Sequence, residues 1–208
     1  YVKFGQKSNS NPPREAWRHW RSLMVGGLEV GLEVDRGSRR PRFAAMAINV
    51  GDQAPDFTLT TLGSDGPELV TLSEQTSGSK TVLLFVPMAF TGVCTEEFCS
   101  VSQGLDEYAD LGAKVFGISG DNPFAQQAWA EKEGITLTLL SDYEHEAARA
   151  YDVAYDSFLP DKNLTMGGVP KRSAFVIDGE GVVRYAESSD NPGQLPDFDA
   201  IKEALKAL

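Results

Sequence analysis

The only two cysteines of this 208-residue chain lie five positions apart, in the segment best suited to chemistry. Cys94 follows the apolar stretch 81–86, which predicts a strand buried on both faces. In α/β proteins, ligands bind at the carboxyl ends of such strands. A helix that begins just before Cys94 would stabilise a thiolate through its free N–H groups and its dipole. Cys94 is therefore a candidate nucleophile. Thr91 can cap the helix or offer its hydroxyl group beside the sulfur.

Cys99 has a different position relative to that helix. Five residues along an α-helix correspond to about 140° of rotation and about 7.5 Å of rise, which separates the two Cα atoms by about 8.6 Å. A disulfide requires a Cα separation below about 7 Å. Cys99 is thus either a packing residue or a partner that Cys94 reaches only when the first turns of the helix unwind.

The surrounding sequence alternates between strand and helix patterns. Apolar runs predict strands over residues 57–60, 69–72, 81–86, 114–119, 135–140, 173–177 and 182–186. Helical spacing of apolar residues predicts helices over 98–108, 124–132, 143–151 and 198–208. This order predicts an α/β domain with a mixed central sheet flanked by helices, in which the last two strands form an antiparallel hairpin at the sheet edge.

The charge distribution divides the chain into two parts. Residues 1–45 carry 9 Lys and Arg against 4 Asp and Glu, a net charge of +5, and show no regular period. Residues 46–208 carry 10 against 26, a net charge of −16. We expect residues 1–45 to be a disordered N-terminal extension that need not belong to the natural protein, followed by one domain over 46–208. A targeting peptide and a basic arm are the two alternatives for the extension.

Composition excludes several classes of protein. Two cysteines and two histidines argue against a disulfide scaffold and a zinc module. The net charge of −11 argues against nucleic-acid binding, and no apolar run approaches the roughly 20 residues that span a bilayer. The acidic surface is typical of a cytoplasmic protein, either one adapted to salt or an ordinary acidic one.

The spacing P-x-x-x-T-x-x-C of Pro87, Thr91 and Cys94 resembles the active-site motif of the peroxiredoxin (AhpC/TSA) family. Glu97, three residues after the cysteine, and the distant Arg172 also match that family. Further matches are the opening residues 51–57 and the late strand and turn 173–179, so that the resemblance covers residue 49 to the end of the chain. It implies a thioredoxin-like fold and a peroxidase that needs no metal, haem or flavin.

Two branches of the family share features with this chain. The run Phe90-Thr91-Gly92-Val93-Cys94 resembles the one-cysteine, alkyl hydroperoxide reductase E-like branch. A second cysteine at plus five resembles the bacterioferritin comigratory protein branch, which usually has Thr-Pro-Gly-Cys at the motif. Gln126 stands where peroxiredoxins often carry a histidine.

The resemblance implies a role for each site residue. Cys94 attacks a peroxide, hydrogen peroxide or an organic hydroperoxide, and becomes a sulfenic acid. Arg172 keeps the sulfur ionised, Thr91 binds the incoming oxygen and Pro87 shields the site, while Glu97 serves the site or only the helix dipole. Cys99 then forms an intramolecular disulfide, which a thioredoxin-like or glutaredoxin-like dithiol protein reduces.

Other interpretations stay open at this point. In one, an external thiol resolves a one-cysteine enzyme. A second is a thioredoxin-like thiol–disulfide oxidoreductase, although such proteins usually carry C-x-x-C. A third is a redox sensor or chaperone without peroxidase activity. The resemblance is compatible with a monomer or a homodimer, and it implies neither nucleic-acid nor membrane partners.

Overall fold

A computed structural model describes residues 48–208 of the chain. The extension predicted over 1–45 lies outside the described residues. The strands are β1 (Thr58–Gly63), β2 (Gly66–Thr71), β3 (Lys80–Phe85), β4 (Ala113–Ser119), β5 (Thr138–Ser141), β6 (Arg172–Ile177) and β7 (Val183–Ser189). The α-helices are α1 (Leu72–Thr76), α2 (Gly92–Gln103), α3 (Leu105–Asp110), α4 (Pro123–Glu133), α5 (Glu146–Ala150) and α6 (Phe198–Lys206), and a 3₁₀ turn covers Pro160–Lys162.

The seven strands form one mixed sheet in the order β2-β1-β5-β4-β3-β6-β7. β3 pairs in parallel with β4 and antiparallel with β6, while β4 pairs in parallel with β5. This confirms the predicted α/β class with a mixed central sheet. The predicted edge position of the final hairpin is wrong for β6, which lies inside the sheet between β3 and β7.

β3 is central because its side chains can be buried on both faces. Val82 and Leu84 belong to a core cluster that includes residues of α2, α4 and α6, whereas Leu83 and Phe85 belong to a second cluster that includes residues of α5. All four are fully buried, as the two-residue period of a strand between two helical layers requires. The segment that follows the carboxyl end of β3 therefore begins in the interior of the domain.

The helix after β3 differs from its prediction. It begins at Gly92, just before Cys94 as expected, but it ends at Gln103, and α3 starts as a separate helix after Gly104, inside the predicted range 98–108. Glycine is a poor helix former, so the continuous spacing of apolar residues does not produce a continuous helix there. Within residues 48–208, no helix is long and apolar enough to cross a membrane.

Candidate active site

Cys94 lies in the first turn of α2, just beyond the carboxyl end of β3. It is the third residue of that helix, so its backbone N–H belongs to the turn that has no acceptor within the helix. The side chain is 2 % exposed. Arg172 Nη2 donates a hydrogen bond to Cys94 Sγ at 3.2 Å. The sulfur therefore lies in direct contact with a cationic side chain.

Arg172 is the first residue of β6, the strand beside β3, and it is buried. Its Nε and Nη2 donate to the carbonyl oxygen of Pro192 at 3.0 and 2.8 Å, and its Nη1 pairs with the Glu97 carboxylate. Burial on its own lowers the pKa of Arg172, but the neighbouring Glu97 and Cys94 raise it overall. The guanidinium therefore stays charged and is held in one orientation by groups on two segments, α2 and the loop after β7.

Glu97 is fully buried and lies one helical turn beyond Cys94. Burial raises the pKa of Glu97 to about 7, and the opposing effect of Arg172 is smaller. One carboxylate oxygen pairs with Arg172, whereas the other, Oε1, is buried without a hydrogen-bond partner. Glu97 thus contacts the cation of the site and does not act only on the helix dipole.

Thr91 precedes α2 in an extended conformation, but its side chain does not cap the helix. Its hydroxyl group instead donates to the carbonyl oxygen of Met88 at 2.8 Å. A hydroxyl that has used its only proton can still accept hydrogen bonds. Of the two roles predicted for Thr91, the geometry favours contact with a bound molecule through the free lone pairs of the oxygen.

A cavity of about 250 Å³ opens above the sulfur of Cys94. Pro87 and Arg172 are among the residues around it, together with Thr91. The remaining walls are mostly apolar and include Met88, Val93, Phe158, Leu159, Leu164 and Pro192. The cavity therefore joins one reactive sulfur and one cation to an apolar enclosure.

The 158–164 loop forms one wall of the cavity, and sequence reasoning missed it. The loop is closed on itself by hydrogen bonds from Phe158 N to Met166 O at 2.9 Å and from Leu164 N to Leu159 O at 3.2 Å. Its sequence, Phe158-Leu159-Pro160-Asp161-Lys162-Asn163-Leu164, has neither a strand period nor a helix period. The signal for this wall of the cavity is the presence of apolar side chains in an otherwise exposed segment.

Cys99 does not line the cavity, although it lies in the same helix as Cys94. Its Sγ donates to the carbonyl oxygen of Glu133 at 3.4 Å, and its side chain packs at the margin of the core. Both cysteines are free thiols. The structure therefore brings together five of the six predicted site residues, Pro87, Thr91, Cys94, Glu97 and Arg172, and leaves Cys99 outside.

The comparisons with known proteins agree with this geometry. Residues 50–186 match the AhpC/TSA family. The chain is 34% identical over 163 residues to alkyl hydroperoxide reductase E of Mycobacterium tuberculosis, a match that covers 77% of this chain and 98% of that protein. It is also 34% identical over 171 residues to the thiol peroxidase of Streptococcus pneumoniae, with 80% and 94% covered.

A solved structure shows the same fold. The crystal structure of peroxidoxin BcpB from Mycobacterium tuberculosis is similar at a TM-score of 0.65 and 30% identity, and the match covers 77% of this chain and 98% of that one. The thioredoxin-like fold expected from the sequence is thereby confirmed. A buried cysteine beside an arginine, on this fold and in a chain with these relatives, identifies the protein as a member of the AhpC/TSA family, a peroxiredoxin with thiol peroxidase activity.

Proposed function

We propose that Cys94 is the residue that attacks the peroxide. The observation that carries this proposal is the 3.2 Å contact between Arg172 Nη2 and Cys94 Sγ at the cavity. The thiolate sulfur attacks one peroxide oxygen, the O–O bond breaks, and its electrons leave with the second oxygen. That oxygen takes a proton and departs as water or an alcohol, so that Cys94 becomes a sulfenic acid.

The other site residues act on the two oxygens and on the sulfur. The guanidinium of Arg172 stabilises the thiolate and the negative charge that develops on the leaving oxygen. Thr91 accepts a hydrogen bond from the peroxide O–H, because its own proton is donated to Met88 O. Pro87, which is buried at the cavity, excludes water from the sulfur.

The cavity supports organic hydroperoxides as substrates in addition to hydrogen peroxide. Its volume is about 250 Å³, and a side chain such as Leu164 offers an apolar surface to an organic group. The name of the mycobacterial relative, an alkyl hydroperoxide reductase, agrees with such a substrate.

Cys99 is the proposed resolving residue. The chain contains only two cysteines, so an intramolecular disulfide can join only Cys94 and Cys99. In that step the Cys99 thiolate attacks the Cys94 sulfur and the sulfenic oxygen leaves as water. Because α2 is continuous across both residues, its first turns must unwind. Unwinding exposes Phe98 and breaks the hydrogen bond of 3.0 Å from Trp129 Nε1 to Thr95 Oγ1.

A thioredoxin-like or glutaredoxin-like dithiol protein then reduces the disulfide, by attack of one of its thiolates and release of both cysteines. The cytoplasm, where such reductants keep thiols reduced, is the proposed location. The chemistry is the same for a monomer and for a homodimer, since every proposed reactive group belongs to one chain.

Peroxide consumption by Cys94→Ser tests the assignment of the attacking residue. We expect no turnover of hydrogen peroxide or cumene hydroperoxide by this variant, with an unchanged circular dichroism spectrum. Cys99→Ser is the matched control, because it removes the other thiol and should still consume one equivalent of peroxide in the first step. Turnover by Cys94→Ser close to the wild-type rate would refute the assignment.

The intact mass after one equivalent of peroxide tests the role of Cys99. We expect the wild-type protein to lose two hydrogens, and Cys99→Ser to gain one oxygen that dimedone traps as an adduct. If both proteins gain an oxygen and trap dimedone equally, an external thiol resolves the sulfenic acid and the enzyme uses one cysteine. Insulin reduction without peroxide consumption would instead identify a thiol–disulfide oxidoreductase.

A further inference from the structure

One peptide unit in the loop between β3 and α2 connects the site to a neighbouring strand. This unit joins Met88 to Ala89, and none of the peptide bonds among residues 48–208 is cis. Its C=O accepts the hydroxyl proton of Thr91 at 2.8 Å, and its N–H donates to Asp121 Oδ2 at 2.8 Å. In a trans peptide these two groups point in opposite directions within one plane. Asp121 therefore binds one edge of this peptide plane, and Thr91 binds the opposite edge.

Asp121 is itself fixed by buried side chains. Ser119, the last residue of β4, donates its hydroxyl to Asp121 Oδ2 at 2.9 Å. Gln126 Nε2 donates to Ser119 Oγ at 2.9 Å and to Leu140 O at 2.9 Å. Ser141 Oγ donates to the Asp121 backbone carbonyl at 2.7 Å. These four hydrogen bonds connect α4 and β5 to Asp121, and the bond from Ala89 N–H connects Asp121 to the loop that carries Thr91.

We propose that Asp121 is a positioning residue for the peroxide reaction, which acts through the Met88–Ala89 peptide unit on the Thr91 hydroxyl. A carboxylate on the N–H side polarises the peptide and strengthens the acceptor on its C=O side. The Thr91 proton is then held by Met88 O, and the lone pairs of the hydroxyl are left for the peroxide O–H. The proposal rests on the roles of Cys94 and Thr91 given above.

The loop needs such an anchor because its backbone is not in a relaxed conformation. Phe90, between Ala89 and Thr91, has a φ of 61°, in the left-handed region that non-glycine residues rarely adopt. Its side chain is 49 % exposed and is held on one side only, by ring contacts with Trp129 and Lys132 of α4. Without the Asp121 contact, the loop can relax and move the Thr91 hydroxyl away from the sulfur.

Asp121→Ala removes the acceptor and is the main test. A hydrogen bond to a charged group contributes about 1.5–3 kcal/mol, so the second-order rate constant with peroxide should fall about 10- to 100-fold. Alkylation of Cys94 by iodoacetamide does not use Thr91 and should keep its wild-type rate. Asp121→Asn keeps an acceptor oxygen and should restore most of the peroxide rate. Asp110→Ala, an exposed aspartate on α3, is the control.

A double-mutant cycle with Thr91→Val separates positioning from a structural effect. If Asp121 acts through the hydroxyl, Asp121→Ala should slow the Thr91→Val enzyme by less than about twofold. Should Asp121→Ala fail to fold, Ser119→Ala provides the same test with a smaller loss, because it removes one donor to the Asp121 carboxylate.

Two results would overturn the proposal. One is an unchanged peroxide rate in folded Asp121→Ala, and the other is an equal loss of the peroxide and alkylation rates. Failure of the underlying assignment looks different, since Cys94→Ser would then retain turnover. Inactive Cys94→Ser together with a wild-type peroxide rate for Asp121→Ala refutes only the role of Asp121.

Discussion

The two cysteines share one helix, yet their sulfur atoms have opposite surroundings. Cys94 Sγ receives a hydrogen bond from the buried Arg172, whereas Cys99 Sγ donates its own to the Glu133 carbonyl. The first sulfur faces a buried cation and the second faces a neutral carbonyl group. Reactivity in this segment is therefore set by what the neighbouring strand and helix present to each sulfur, and not by membership of the helix.

The difference also concerns what holds each residue in place. Cys94 depends on a charge that is fixed to the central sheet, because Arg172 is paired in β6 beside β3. Cys99 packs between helices, at the margin of the core cluster that includes residues of α2 and α4. In the proposed resolving step, the thiol in the second environment becomes a reactant only after the helix moves.

The largest effect is expected from removing the cation of the Cys94 environment. In Arg172→Ala the thiolate loses its partner and the peroxide loses its electrostatic contact, and removing one preorganised donor of this kind costs about 2.7–4 kcal/mol of transition-state stabilisation. We therefore expect the second-order rate constant with peroxide, measured by stopped-flow fluorescence, to fall at least about 100-fold. Alkylation of Cys99 in a Cys94→Ser background should not change.

Arg172→Lys sharpens this test, since it keeps the charge and loses the planar fork that spans Cys94, Glu97 and Pro192. Its rate should lie between those of the wild type and Arg172→Ala. If Arg172→Ala reacts with peroxide as fast as the wild type, the proposed contrast between the two sulfur environments has no catalytic meaning.

A second, smaller effect concerns the pH dependence of stability. Burial raises the pKa of Glu97 from 4.5 to about 7, so between these values the folded protein holds a proton that the unfolded chain has lost. The contribution of Glu97 to stability is therefore present below pH 4.5 and is lost as the pH rises through 7. Between pH 5 and 8 the free energy of unfolding should fall less for Glu97→Gln than for the wild type.

Urea unfolding at a series of pH values measures this difference. Glu96→Gln is the matched control, because Glu96 is the adjacent exposed carboxylate of the same helix. Parallel pH curves for wild type and Glu97→Gln would show that Glu97 does not hold a proton near neutrality, and that Arg172 faces a permanent carboxylate.

The smallest expected change tests whether α2 must open before the two cysteines meet. Phe98 is fully buried and its ring centroid lies 5.4 Å from that of Trp129. Phe98→Leu should lower the free energy of unfolding by about 1–2 kcal/mol and speed disulfide formation up to about tenfold, because less apolar surface opposes the opening.

Phe116→Leu on β4 is the control, since Phe116 packs in the cluster on the other face of the sheet. It should cost similar stability without changing the rate at which the disulfide forms, followed by intact mass after mixing with peroxide. Equal acceleration by both variants would mean that global rather than local unfolding exposes Cys99.

Sequence reasoning located the parts of the site that lie close together in the chain. Thr91 and Cys94 were found from their position after a buried strand, Pro87 and Glu97 were found only by resemblance, and so was the distant Arg172. It lies 78 residues from Cys94, and strand pairing alone brings it near. No local pattern reports which strand becomes the neighbour of β3.

The interior position of β6 has a local signal in the sequence, the continuous apolar run of residues 174–177. All six of its residues are buried, which a strand at an exposed edge does not require. By contrast, the contact from Asp121 to the Met88–Ala89 peptide and the apolar wall from the 158–164 loop depend on loop conformation. Loops of this kind have no period, so their positions relative to the sulfur follow only from the folded chain.

Arg172 belongs to the sheet, so its position does not depend on whether α2 is wound or unwound. During the proposed opening, Cys94 leaves with the unwinding helix, while Arg172 stays in the β6 hydrogen-bond ladder and keeps its two contacts with Pro192 O. Once the disulfide is reduced, the vacated guanidinium is a ready counter-ion for the returning thiolate. In the proposed cycle, the fixed positive charge of Arg172 would therefore guide Cys94 back to its original position as α2 rewinds.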